Sequence, residues 1–115
     1  MQQPSIYNVT MYQGANFDLN LSWNVAGTPV DLTSYTARMQ VRSTFDASSS
    51  VLSFTSGSGI TLGGTAGTIL VEASAATTAG VPVGQYVYDL ELVSAGSAVT
   101  RLVQGNLTLD PEVTR

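Results

Sequence analysis

The 115-residue sequence contains no cysteine, no histidine and no lysine. Without Cys and His there is no Ser-His-Asp or Cys-His nucleophile, no CxxC redox pair, no zinc site of the usual kind and no disulfide. Without Lys there is neither a P-loop lysine nor a Schiff-base lysine, and Arg38, Arg42, Arg101 and Arg115 are the only side-chain cations. Most familiar enzyme classes are thereby excluded, and no cofactor and no metal is expected. Charged residues make up 10% of the chain, against roughly 25% in an average soluble domain. The net charge of -4 argues against nucleic acid as a partner, because a phosphate backbone is bound by releasing counterions to a basic surface. No apolar run approaches the roughly 18 to 20 residues of a membrane span, and the opening MQQPSIYNVT has neither the basic nor the apolar region of a secretory signal. The expectation is a soluble, unexported chain with no membrane partner.

What is present is β-patterned. Hydrophobic residues reach 43%, enough for a core, and the length suits one domain, 1–115. Phe17, Leu19, Leu21 and Trp23 alternate with Asp18, Asn20, Ser22 and Asn24, the period of two that lays one strand face on a core. Tyr35, Ala37, Met39 and Val41 repeat the pattern after a connection with turn formers at Gly27, Pro29 and Asp31. Beyond the Ser-rich loop at Ser48 to Ser50, the runs VLSFT, GITLGG and GTILVEA read as narrow hairpin strands separated by glycines. Ser74 is placed to cap one helical turn over Ala75 to Ala79, ended by Gly80 and Pro82. QYVYDLELV gives the longest alternation, with Tyr86, Tyr88, Leu90 and Leu92 on one face and Val87, Asp89, Glu91 and Val93 on the other. In VTRLVQGNLTL, Gly105 is expected to mark a bulge. With IYNVTMY at the start, the sum is seven or eight strands.

Short strands with turn signals every eight to twelve residues or so, and no long helix between them, specify an all-β, immunoglobulin-like antiparallel β-sandwich with one short helical turn. Trp23, Phe17, Tyr35, Phe54, Tyr86 and Tyr88 form the aromatic part of its expected core.

Few constellations suggest chemistry. Asp89 and Glu91, two apart on a polar strand face, suit a shared calcium ion or an acid-base pair in principle, yet calcium wants six to eight oxygens and a glycosidase needs a cleft, so a solvated strand face is the expected reading. The glycine cluster SGSGITLGGTAG is read as turns, since no helix follows it to meet a phosphate. The sequons at Asn8, Asn20 and Asn106 fall in expected strands and are set aside. Arg38 and Arg42 share a strand face, either solvated or available to a carboxylate on another chain. A surface of Ser, Thr, Gly, Asn and Gln repels its own copies weakly, which suits permanent assembly. Tyr7 and Tyr12 in the first strand, and Val87 and Val93 on the outer face of the longest one, complete the interface candidates.

Three stretches, GANFDLNLSWNVAGTPVDLTSYTARMQVR, SGSGITLGGTAGTI and AATTAGVPVGQYVYDLELVSAGSAVTRLVQGNLTLDPEVTR, together cover nearly all of the chain. They resemble small virion proteins of tailed bacteriophages and prophages and are similar to the immunoglobulin-like N-terminal domain of phage upper-baseplate proteins. The most specific blocks are D-L-T-x-Y-T-A-R-M-Q-x-R at Asp31 to Arg42 and G-x-Y-x-Y-D-L-E-L at Gly84 to Leu92; both are strands, and neither is catalytic. The resemblance implies a structural adaptor in the virion, present in several copies, assembled in the host cytoplasm and docked onto other phage proteins of the tail or baseplate. With the sequence ending at Arg115, an adaptor, sleeve or decoration role is expected rather than host recognition. A neck or capsid-decorating protein is the nearest alternative. A carbohydrate-binding module with host glycan as partner comes next, its discriminating residue being an exposed Trp23. A small glycosidase built on Asp89 and Glu91 comes last.

Overall fold

The computed structural model describes residues 5–113; the expected domain of 1–115 extends beyond them at both ends, and Arg115 lies outside them. In chain order the strands are β1 (Ser5–Ile6), β2 (Val9–Tyr12), β3 (Phe17–Ser22), β4 (Asn24–Val25), β5 (Thr28–Pro29), β6 (Thr36–Arg42), β7 (Leu52–Ser56), β8 (Gly59–Leu62), β9 (Thr68–Ala73), β10 (Gly84–Val93) and β11 (Val99–Asp110). One short helix, α1 (Ala75–Ala79), precedes β10.

Strand pairing follows one path, β1-β11-β10-β6-β7-β8-β9-β3, with β2 also paired to β11. The path folds over once. The strands from β1 and β2 to β7 form one layer, and β8, β9 and β3 form the other. This is the immunoglobulin-like sandwich: the C, F and G strands of that fold correspond to β6, β10 and β11, and its B, E and D strands to β3, β9 and β8. Residues 24–29 form a separate small ribbon; of the expected turn formers Gly27 sits in its turn, after Ala26, whereas Pro29 lies in a strand and pairs with Asn24.

The layer change occurs between β7 and β8. The Thr55 N–H donates to the Ser58 carbonyl and the Gly57 N–H to the Ile60 carbonyl, each at 3.0 Å, with Gly57 at φ +86°. The two strands touch only through a two-residue parallel bridge. The narrow hairpin expected here is therefore a corner between layers, while β8 and β9 do form an antiparallel hairpin.

Alternation produces the core as the pattern requires. Met39, Val41, Leu90, Leu92 and Leu107 of the first layer share one buried cluster with Leu19, Ile60, Ile69 and Val71 of the second. Each such side chain contributes about 1.5–3 kcal/mol relative to exposure. Trp23, Phe17, Phe54, Tyr86 and Tyr88 are buried as expected. Tyr35 is only partly buried, because β6 begins one residue later and its ring lies at the rim, edge-on to Trp23 at 5.9 Å and 89°.

The connector into β10 is built as its residues dictate. Ser74 Oγ accepts from the Thr77 N–H, and the helix spans Ala75–Ala79. Tyr86 then donates its hydroxyl to the Pro82 carbonyl at 2.6 Å, four residues upstream, which is the tyrosine corner of this fold.

The bulge expected at Gly105 lies elsewhere. Leu90 pairs with Val103 and Glu91 with Arg101, so Leu102 is the extra residue. It is buried beside Val103, which keeps both apolar side chains inside while the strand bends. Gly105 is required for another reason. A Cβ there would stand 2.3 Å from the Tyr7 carbonyl oxygen, so the glycine lets the N-terminal segment approach β11 closely where β1 and β2 are interrupted.

Candidate docking surface

A sheet that folds over once has two ends, and here both fall on the same side of the sandwich. One end is β1 and β2, the other is β3, and the turn at residues 13–16 joins them. Thr78, fully buried on α1, fixes that turn: its hydroxyl accepts from the Gly14 N–H at 3.0 Å and donates to the Ala15 carbonyl at 2.8 Å. Asn16 Oδ1 accepts the Ala75 N–H at 2.9 Å, tying the turn to the helix start. Two unpaired strand edges are thus held side by side as the two lips of an open seam.

The first lip carries the sequence-predicted tyrosines. The expected single strand IYNVTMY is divided at Tyr7 and Asn8, and its two parts run parallel to β11. Tyr7 is pinned through its main chain, its N–H donating to the Gln104 carbonyl at 2.9 Å and its carbonyl accepting the Tyr88 hydroxyl. Burial, and next the Tyr7 phenol nearby, push the Tyr88 phenol up to about 12. With the backbone fixed inward, the Tyr7 ring faces solvent, as do Ile6 and Tyr12, at 51%, 75% and 59% exposure respectively.

The second lip is β3. It pairs with β9 on one side, and among the described residues no strand pairs with its other side. Phe17 and Leu19 are buried; Leu21 also faces the core but is only partly covered.

The remaining candidates lie on a different surface, the outer face of β6, β10 and β11. Register sets Arg38 opposite Glu91 and Glu91 opposite Arg101, with Gln40, Asp89 and Gln104 forming the neighbouring row. Arg38 donates to Glu91 at 2.8 Å, and Arg101 approaches Asp89 at 3.5 Å and Glu91 at 3.8 Å. Arg42 donates to the Ala47 carbonyl and to Gln40, both at 2.8 Å. Arg38 and Arg42 do share a face, but both are engaged within the chain. Asp89 is held above the usual carboxylate range by burial and then by Glu91, with the three arginines opposing. Among the described residues no three acidic side chains gather, so the Asp89 and Glu91 pair is an ion-pair network with arginine rather than a cation cradle. Val87 and Val93 lie on this outer face and are partly buried.

Sequence patterning did not single out Phe45. It is 87% exposed, on the loop between β6 and β7, beside a depression of about 280 Å³ lined also by Gln40, Asp89 and Gln104. The signal was available: in RSTFDASSS the ring has no alternating apolar neighbour and therefore no strand face to carry it inward. The open edge of β3 had no local signal, because edge position is a property of the whole topology.

The chain matches no protein-family model and no curated protein sequence. Among solved structures it is similar to CopC from Methylosinus trichosporium OB3b, with 14% identity and a TM-score of 0.41. The alignment covers 69% of this chain and 66% of that one.

Proposed function

We propose that the chain is a non-enzymatic structural component of a tailed-phage virion, an adaptor that docks in several copies onto tail or baseplate proteins. The observation that supports this most is the seam: two open sheet edges side by side, one of them bearing exposed Ile6, Tyr7 and Tyr12. Exposed edges are templates for another chain, and tyrosines supply large contact area at small entropic cost. The main chain beneath these rings is rigidly bonded, so little order is lost when they are covered. A position in the neck or on the capsid uses the same surface, and the family resemblance favours the tail.

The test is binding to purified virion proteins encoded beside this chain. Tyr7→Ala combined with Tyr12→Ala is expected to weaken the complex about tenfold or more, with the fold intact by circular dichroism. Unchanged affinity in that double variant contradicts docking through this lip. In the carbohydrate-binding alternative an exposed Trp23 stacks on sugar, but its ring is buried against the core at 8% exposure and offers no such face.

A further inference from the structure

We infer that β3 is the acceptor for an added strand, and that the strand it takes comes from another protein and carries a basic residue in register with Asp18. This deepens the docking reading above and rests on it for the existence of a partner.

Three observations on β3 converge. First, its free hydrogen-bonding groups can be assigned. The Trp23 N–H donates to the Gly67 carbonyl at 2.8 Å, continuing the register in which Ser22 faces Thr68. In an antiparallel ladder bonded and non-bonded pairs alternate, so Phe17, Leu19 and Leu21 bond to β9, while Asp18, Asn20 and Ser22 direct their N–H and C=O groups to the open side. Second, apart from the charge of Asp18, the strand lacks the devices that block such edges. Its six residues FDLNLS include no proline, no lysine and no arginine, and its register with β9 has no bulge. By contrast β1 and β2, on the other lip, are two and four residues long and interrupted. Leu21, inward-facing yet only partly covered, is what an added strand would finish burying.

The third observation selects the occupant. Asp18 sits directly opposite Glu72, and both are exposed on the outer face. Like charges directly opposite are unfavourable in a sheet. Among the described residues neither carboxylate has an ion-pair partner; the paired acids are Asp89 and Glu91, on the other layer. An added strand places its own side chain about 4.8 Å from Asp18 along the same row. A cation there neutralises the pair. A second copy joined edge to edge over the full strand would set its Ser22, not a cation, opposite Asp18 and leave the carboxylate pair unneutralised, so a basic foreign strand is favoured over self-pairing through β3.

The probe is the synthetic peptide Val-Thr-Val-Arg-Val-Thr-Val and its counterpart with Glu in place of Arg, titrated into the isotopically labelled chain and followed by amide NMR. The expected result is chemical-shift change centred on residues 17–22, with Asp18, Asn20 and Ser22 amides gaining exchange protection. The Arg peptide is expected to bind about fivefold or more tightly than the Glu peptide at low salt. That preference is expected to disappear in the Asp18→Asn, Glu72→Gln double variant, which leaves the backbone edge intact. Asn20→Pro, at a residue whose N–H faces away from β9, is expected to block both peptides. Equal affinity for the two peptides, or shifts centred on β1 and β2, overturns the inference. If the chain assembles with virion proteins while neither peptide reaches β3, strand addition is wrong and the docking reading stands. If the Arg peptide binds at β3 while the chain assembles with nothing, the converse holds.

Discussion

The Tyr88 hydroxyl donates a hydrogen bond to the carbonyl of Tyr7, 81 residues away in sequence, beside the place where Gly105 has no side chain. Tyr88 faces Gly105 directly across the ladder, so the missing Cβ both admits the close approach of Tyr7 and lets the phenol reach it. Tyr88→Phe is expected to cost about 1–2 kcal/mol by leaving that carbonyl without its partner. Gly105→Ala is expected to cost about 1–3 kcal/mol, because Tyr7 must be displaced. Urea denaturation measures both, and amide exchange is expected to rise at β1 in each variant while β9 stays protected.

The same phenol gives a pH dependence. Its folded value, about 12, lies above the ordinary value of about 10 for an unfolded tyrosine. The folded state therefore holds the proton more tightly, and the contribution is fully present below about pH 10 and lost as pH rises toward about 12. Stability of the wild type is expected to fall across that window more steeply than that of Tyr88→Phe, read from denaturation midpoints at each pH.

Thr78 is the one buried polar side chain on α1, and it joins the helix to the turn between the two lips. Thr78→Val keeps the shape and removes both hydrogen bonds, stranding the Gly14 N–H and the Ala15 carbonyl. The expected loss is about 1–3 kcal/mol, with increased amide exchange at residues 13–16.

Asp89 and Glu91 are expected to respond differently to neutralisation. Burial disfavours the charged form of Asp89, and its nearest arginine nitrogen is 3.5 Å away. Asp89→Asn is therefore expected to leave stability at neutral pH unchanged or slightly raised. Glu91→Gln loses the 2.8 Å contact with Arg38 and is expected to cost up to about 1 kcal/mol. Thermal melts of the two variants distinguish these outcomes.

How far the sequence reaches depends on whether a feature is local. The Ser74 cap and the helix at Ala75–Ala79 are set by residues within one turn, and both were legible. The buried faces of β6 and β10 follow from alternation alone. Gly105 was misread because a glycine in a strand serves a bulge or a close approach equally well, and only the path of Tyr7 decides between them. The β7–β8 corner was misread as a hairpin for a similar reason: a glycine-containing break looks the same whether the chain returns to its own layer or enters the other. Of the candidate residues, Arg38 and Arg42 were correctly placed on one face, but their partners Glu91, Ala47 and Gln40 emerge only from register and loop geometry. The seam was illegible, since nothing within FDLNLS states that β3 ends the sheet.

The central claim is that this chain works by being docked to its neighbours. Size-exclusion chromatography with light scattering, on the purified chain alone and mixed with the proteins encoded by its genomic neighbours, tests that claim most directly. The account predicts a complex of defined stoichiometry containing more than one copy of the chain. A strict monomer that co-elutes with none of those proteins contradicts it.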